Sequence, residues 1–326
     1  MRLQKLVVLL ILSIISSTAC SQNYYDRAEV QQFIQRMGSE HQLNEEILVR
    51  LFKQAETQTK VLKAIQTPAE RRKEWFEYRP IFLTDARIKA GVTFWQENQQ
   101  VLTEVEQSTG VPAEVIVAII GVETFYGRIT GSHPVFDSLV TLGFDYPKRS
   151  KFFLSELEHY LLLCKEEGFN PTELLGSYAG AMGRAQFISS SYRRYAVDHN
   201  QDGKRDLWNS NEDAIGSVAN YLKEHGWSSS PVITSTAQFS GDASNVDESN
   251  TLKPGFSYPQ LQSLGFISDG PVESDETLSL IVLLGDKGKE YWLGHNNFYV
   301  ITRYNHSSMY AMAVFQLSQE IKRALP

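Results

Sequence analysis

Apolar positions recur at helical spacing through the first third of the chain. Val30, Phe33, Ile34 and Met37 fall on one face of the segment 28–37, and Leu48, Leu51, Phe52 and Ala55 repeat that spacing in the next segment. A further helix is predicted from Ala86 to Thr103, and the aromatic cluster from Trp75 to Pro80 interrupts the helices before it. Residues about 106–227 also read as mostly helical, with loops between. The pattern then changes. Ser228 to Asn250 is rich in Ser, Thr, Asn and Asp, and three β-prone runs follow at 279–284, 289–294 and 297–302. Residues 229–300 are therefore expected to form a small sheet-containing insert. An amphipathic helix from Met309 to Ala324 is expected to pack back on the central region. No internal repeat is evident.

The extreme N-terminus follows a different rule. Arg2 and Lys5 precede ten apolar residues, Leu6 to Ile15, and then the small residues 16–19 and Cys20. This is the layout of an export signal over residues 1–19, too short to span a bilayer; a buried N-terminal helix is the alternative. Small residues ahead of Cys20 resemble a lipoprotein lipobox, although Ser17 stands where Leu is usual. Acylation of Cys20 competes with ordinary cleavage nearby. With Cys20 acylated, Cys164 is the only thiol left and no disulfide framework exists; Cys164 follows three leucines and reads as a small buried hydrophobe.

The 326 residues are 42% hydrophobic and 21% charged, enough for two or three domains and a sizeable core. The net charge of −7 becomes more negative once Arg2 and Lys5 are removed, which argues against a nucleic-acid partner.

One residue breaks the hydrophobic pattern in a way that asks for a reason. Glu123 closes the apolar run 115–122, on a helix expected to begin near Pro112 and to end by Gly127. Burial and the negative end of the helix dipole both oppose ionisation there, so the carboxyl is expected to hold its proton near neutral pH, as a general acid must. The alternative is a glutamate that simply reaches solvent. A second signal is the stretch 176–187, where Gly176, Gly180 and Gly183 alternate with small residues. Such a stretch permits close backbone approach, with Ser177 and Gln186 available to a polar ligand, or it marks only a tight helix contact. A third is the loop opening at Asp198. Oxygen side chains at Asp198, Asn200 and Asp202, with Gly203 at position six and the Lys204 carbonyl at position seven, match the start of an EF-hand calcium loop; a solvated Asx-rich turn is the alternative. Asn209 stands where the closing glutamate belongs, and Asp213 is the expected closing carboxylate.

With these three stretches in place, the chain resembles the lytic murein transglycosylases of the membrane-bound type B family. The likeness runs from about Tyr78 to Tyr310 and is densest at 120–124, 176–187 and 213–221. It implies a mainly α (α+β) fold: a goose-type lysozyme-like central domain (106–228, with the EF-hand-like loop 198–213), a helical N-terminal domain (20–105), a small β domain (229–300), and a C-terminal segment (301–326) returning to the centre. It implies that Glu123 is the sole catalytic carboxylate. Ser177, Gln186, Tyr221, Tyr304, Asn305 and Tyr310 would line the groove, Tyr78 would join it from the N-terminal domain, and Lys148 and Arg149 would face the peptide stem. The family has arginine where Lys148 stands.

The implied reaction is non-hydrolytic cleavage of peptidoglycan glycan strands between N-acetylmuramic acid and N-acetylglucosamine, leaving a 1,6-anhydro end. Calcium would be structural, and acylated Cys20 would place the enzyme on the periplasmic face of the outer membrane, with a soluble periplasmic form as the alternative. Two rivals stand beside this reading. A hydrolytic muramidase would need a second carboxylate, Asp137 or Asp145, about 5 Å from Glu123 if retaining and farther if inverting. A non-catalytic peptidoglycan-binding lipoprotein would need no buried acid.

Overall fold

The computed structural model describes residues 23–66, 73–242, 250–273 and 275–326; the expected export signal over residues 1–19 and Cys20 lie outside the described residues. The chain forms two compact units, dividing between Ala55 and Glu56.

In the first unit, a 3-10 turn at Tyr24–Asp26 leads into α1 (Ala28–His41) and α2 (Glu45–Gln54). The buried face of α1 is the predicted set Val30, Phe33, Ile34 and Met37. It meets Leu48 and Phe52 of α2, with Phe33 and Phe52 packed edge to face at 5.8 Å. Gln42 ends α1 in the left-handed conformation, and the Asn44 side chain caps α2 by accepting from the Ile47 amide.

The second unit is built on one helix. Its helical part runs α3 (Thr59–Gln66), α4 (Trp75–Phe82), α5 (Asp85–Glu97), α6 (Gln99–Thr109), α7 (Ala113–Thr124), α8 (Val135–Asp145), α9 (Ser150–Glu167), α10 (Ser189–Tyr195) and α11 (Asn211–Glu224). Every residue of α7 except Glu123 is buried. Helices α5, α6, α11 and the last helix surround it. A helix hydrophobic on all sides must be enclosed in this way, and Glu114, its other acidic residue, is 8% exposed and neutralised by Lys322 at 2.6 Å. Outside this shell α8 packs on α9 and α9 on α10. Buried Glu156 of α9 accepts from both the amide and the hydroxyl of Ser190 at 2.9 and 2.7 Å, which fixes the start of α10. The short strands β1 (His133–Pro134) and β2 (Leu175–Gly176) pair antiparallel beside these helices. Cys164 is buried as expected, and burial pushes its thiol up to about 12.

The insert is an antiparallel five-stranded sheet in the order β4-β6-β7-β3-β5, formed by β3 (Thr234–Phe239), β4 (Phe256–Ser257), β5 (Phe266–Ser268), β6 (Thr277–Gly285) and β7 (Gly288–Gly294). Its own small core joins Leu261 of α12 (Tyr258–Ser263) to Phe266, Leu278, Leu280 and Leu293. The predicted runs 279–284 and 289–294 are β6 and β7, hairpin partners in register from Ser279↔Gly294 to Gly285↔Gly288. The third run is not a strand: residues 297–302 lie in α13 (Asn296–Tyr304). α14 (Ser308–Ala324) then closes the chain against α7 and α5.

Other predictions are corrected as well. Trp75 to Pro80 does not break the helices but lies in α4, which tolerates Pro80 and starts from a capping box between Glu74 and Glu77. The expected helix 86–103 is two helices broken at Asn98, whose side-chain amide donates to the Phe94 carbonyl at 2.7 Å and so turns inward on the chain. Helices α4, α5 and α6, which the sequence groups with the N-terminal domain, lie in the second unit, where they pack on α7, α11 and α14. Among the described residues no single helix is long and apolar enough to cross a membrane.

Candidate active site

Glu123 is the one residue of α7 left half-buried, and it sits in the last turn. The helix does not run on to Gly127. It stops at Thr124, with Phe125, Tyr126 and Gly127 all left-handed at φ 51°, 61° and 83°. Two successive non-glycine residues in that region cost about 1–2 kcal/mol each. Packing holds them: Tyr126 is buried, lies 5.5 Å from the Phe94 ring, and donates from its hydroxyl to the Arg87 carbonyl at 3.0 Å. Gly121 is required beneath it, since a Cβ there would stand 2.6 Å from that hydroxyl. The chain thus turns away at once after Glu123 and leaves the carboxylate at the open end of the helix.

The partner of Glu123 comes from the far end of the chain. Tyr310, 2% exposed, donates from its hydroxyl to Glu123 Oε1 at 2.6 Å across 187 positions of sequence. Burial, and then the Glu123 charge, hold the Tyr310 phenol well above the usual tyrosine range, so it stays a donor at any physiological pH. Tyr310 stacks near-parallel on Tyr304 at 6.5 Å, and Tyr304 meets Tyr221 at 4.8 Å and Phe187 at 5.8 Å. Tyr221 is 8% exposed, and burial pushes it up to about 12.

These hydroxyls also tie backbone. Tyr304 donates to the Ala185 carbonyl at 2.6 Å, Tyr221 to Arg303 at 2.5 Å, and Thr124 shares its proton between Ile120 and Arg184, each at 3.1 Å. The Gly183–Phe187 loop is thereby gripped from α7 on one side and α13 on the other. Gln186 occupies the left-handed region at φ 49°, and its side-chain nitrogen donates to Thr130 and Gly183 carbonyls, both at 3.0 Å, so its oxygen remains available as an acceptor. The Ser177 hydroxyl oxygen accepts from the amides of Ala179 and Ala181, and the proton is free to point elsewhere.

The structure therefore gathers Glu123, Gln186, Tyr221, Tyr304 and Tyr310 into one linked cluster. Tyr78 is buried in α4 between Trp75 and Phe82, close enough for its charge to act on Tyr310. Asn305 caps α13, half-buried. Lys148 and Arg149 are exposed in a 3-10 turn, with Arg149 stacked 4.2 Å over the Phe152 ring. Sequence reasoning names no role for Thr124, Arg184 or Phe187, although all three fall in stretches it singles out, and it does not anticipate the packing of Tyr195 and His225 on Tyr221. Asp137 accepts from the Glu56 amide at 3.2 Å and the Gln58 side chain at 3.5 Å, which commits it to holding that segment. Asp145 is the last residue of α8.

The Asp198 loop has the form an oxygen-ligated cation needs. Asp198 accepts from the Asp202 and Gly203 amides at 3.1 and 2.9 Å, Asn200 from Asp202 at 3.0 Å, and Asp202 from Lys204 at 3.0 Å. Gly203, at φ 90°, makes the sharp turn. The remaining lone pairs of Asp198, Asn200 and Asp202, with the Lys204 carbonyl, suit a hard cation. Asp213 is fully buried and both its oxygens are occupied: the His199 and Asn200 amides donate to one at 2.8 and 3.3 Å, and the Asp206 amide to the other at 2.8 Å. Here it clamps the loop's backbone. Among the described residues no three His, Cys, Asp or Glu side chains converge as a metal cage.

A single carboxylate at the end of an enclosed helix, bounded by tyrosines and a loop of small residues in a mainly helical unit, defines a lysozyme-like glycan-cleaving site. Residues 25–319 match the model of the transglycosylase SLT domain. The membrane-bound lytic murein transglycosylase B of Escherichia coli K12 is 40% identical over 311 residues, 93% of this chain and 85% of the relative. Among solved structures, the catenated lytic transglycosylase SltB1 of Pseudomonas aeruginosa superposes with a TM-score of 0.89 at 47% identity, covering 92% of this chain and 99% of that one. The E. coli lytic transglycosylase Slt35 in complex with calcium gives 0.85 at 41% identity, covering 92% and 94%. The chain belongs to this family of peptidoglycan-cleaving lytic transglycosylases.

Replacing Tyr310 by Phe removes the donor to Glu123 and leaves the ring in place. The expected result is a loss on the order of tenfold in turnover on peptidoglycan with the melting temperature nearly unchanged. Turnover equal to wild type would show that the bond does not serve the reaction.

Proposed function

We propose that Glu123 alone supplies the proton traffic for cleaving the bond between N-acetylmuramic acid and N-acetylglucosamine. The observation that carries this is the placement of its carboxyl: it ends the buried α7 against Tyr310, while the rival carboxylate Asp137 is committed to the 56–58 segment. Protonated Glu123 donates to the glycosidic oxygen as the C1–O bond breaks through an oxocarbenium-like state. The muramyl acetamido oxygen stabilises C1 from within the substrate, as in substrate-assisted glycosidases. Ionised Glu123 then takes the proton of the C6 hydroxyl, and that oxygen closes on C1. The attacking group belongs to the same sugar, so the step is intramolecular, and no water is consumed. The free oxygen of Gln186 and the hydroxyl proton of Ser177 are suited to orient the acetamido group. The rings of Tyr221, Tyr304 and Tyr78 would bear on sugar faces, Asn305 would lie beside them, and Lys148 and Arg149 would meet the peptide stem.

Calcium in the 198–204 loop would be structural. Asp198, Asn200, Asp202 and the Lys204 carbonyl would hold it, Asp213 would fix the loop's backbone behind it, and no step of the reaction needs it. Acylation of Cys20 would keep the enzyme on the periplasmic face of the outer membrane, within reach of the murein it cuts.

Three measurements test these proposals. A chain lacking residues 1–20 should release muropeptides one water lighter than reducing ones from purified sacculi, and Glu123→Gln should cut that rate by roughly 10²–10⁴-fold; reducing ends instead would mean hydrolysis. Calcium should raise the melting temperature by roughly 2–6 °C, an increment lost in Asp202→Ala; no increment in the wild-type chain would leave the loop as a plain Asx-rich turn. Cys20→Ser should move the full-length protein from the membrane fraction to the soluble one, whereas continued membrane retention would rule out this anchor.

A further inference from the structure

One charged group in this site has no work to do within the protein. Arg184 sits in the Gly183–Phe187 loop, and its carbonyl accepts from Thr124, the neighbour of Glu123. Its side chain lies over the turn that ends α7. The space a Cβ would take at Gly127, four residues past Glu123, is filled by Nη1 and Cζ of Arg184. Any side chain at position 127 would evict the guanidinium, so the glycine makes room for it.

The guanidinium is half-buried, yet it donates no hydrogen bond to any described residue. Its Nε is sealed from solvent without a partner. The opposite charge that acts on it is Asp206, and among the described residues no ion pair joins the two. The oxygens of Asp206 are already taken by the amides of Trp208 and Asn209, each at 2.9 Å, and by the Asn209 side chain at 2.9 Å. A partly desolvated cation left without acceptors is costly, and proteins avoid it unless a ligand completes the site. The carbonyl end of α7 offsets part of that cost by attracting positive charge, but it offers no acceptor in hydrogen-bond geometry.

The chemistry of the missing partner follows from the group. A guanidinium presents a rigid planar fork that matches a carboxylate with two parallel hydrogen bonds. The sugar hydroxyls and acetamides of a glycan strand are neutral; the fixed carboxylates of peptidoglycan are on the peptide that the muramyl residue bears. We propose that Arg184 receives a carboxylate of that peptide and makes this enzyme select peptide-bearing, ionised substrate. The proposal rests on the peptidoglycan-cleaving reading above.

The test uses the full mature chain and two synthetic glycan fragments, one carrying peptides with free carboxylates and one with the same carboxyls converted to amides. Wild type should favour the carboxylate substrate in kcat/KM by roughly ten- to hundredfold, the worth of one charge-assisted hydrogen-bonded pair. In Arg184→Met that ratio should fall by about tenfold, any preference left being that of Lys148 and Arg149, with Arg184→Lys intermediate because it keeps the charge and loses the fork. Dissociation constants measured in the Glu123→Gln background should show the same ratio without turnover, so failure of the chemistry and failure of the contact are distinguishable. A variant that loses equally on both substrates would make Arg184 a structural support of the loop. A wild type that does not distinguish the two fragments would overturn the proposal outright.

Discussion

The enclosure of α7 is the constraint on which the rest of the second unit depends, and the hydrogen bond from Tyr310 to Glu123 marks where that enclosure ends. That bond joins the last turn of α7 to the first turn of α14, and every other feature of the site follows from bringing those two ends together. α7 can end there only because it is enclosed by α5, α6, α11 and α14, and α14 can enclose it only because the five-stranded insert returns the chain to where it left. The insert's tether lies close by: Asn250 pairs with the Val282 backbone through both its amide groups and also donates to Ser308, two residues before Tyr310. Hydrophobic burial around α7 supplies the driving force, and the single polar contact fixes where the enclosed helix opens.

A second constraint concerns backbone carbonyls. The Gly183–Phe187 loop lies against α7, and its Arg184 and Ala185 carbonyls have no backbone partner among the described residues. Buried polar groups must find partners, and here Thr124 and Tyr304 provide them, with Tyr221 doing the same for Arg303. The tyrosines that the family resemblance places in the groove therefore have two roles on different atoms. The hydroxyls of Tyr221 and Tyr304 hold the backbone in place, and under the proposed function their rings would border the glycan. A Phe substitution at Tyr304 or Tyr221 disturbs the first role and an Ala substitution both, so the two effects can be separated by experiment.

The parts of this architecture that were legible in sequence are those set by a local period. The buried face of α1 follows from its helical spacing, because one face meets a core and the other does not, and β6 and β7 follow from their β-prone runs, with β6 buried on both faces over residues 278–281. The position of Glu123 at the end of an apolar helix was legible for the same reason. What spacing could not decide was settled by tertiary packing. Asn297 to Thr302 has the β-branched and aromatic content of a strand, but its buried residues 297, 298 and 300–302 need a helical surface to lie against α11 and α14. The cap of α7 was placed at Gly127 because glycine is the usual left-handed residue. The actual cap is Phe125, held there by the burial of Tyr126, a contact with Phe94 and Arg87 that no local rule contains. The tie between Glu123 and Tyr310 spans most of the chain and left no local pattern at all; only the family resemblance put both residues in one groove.

On the proposed mechanism one carboxyl serves where two are common, and the surroundings of Glu123 support that reading. A group that first gives a proton and then takes one must be tolerated in both states. The carbonyl end of α7 and partial burial work against the charged form. Tyr310 works for it, because a phenol donating to a carboxylate stabilises the anion, and burial of Tyr310 ensures that the donor does not ionise in turn. The two influences act in opposite senses on the same carboxyl. On the proposed mechanism the nucleophile is carried by the substrate, so no second carboxyl is called on to attack C1 or to activate water.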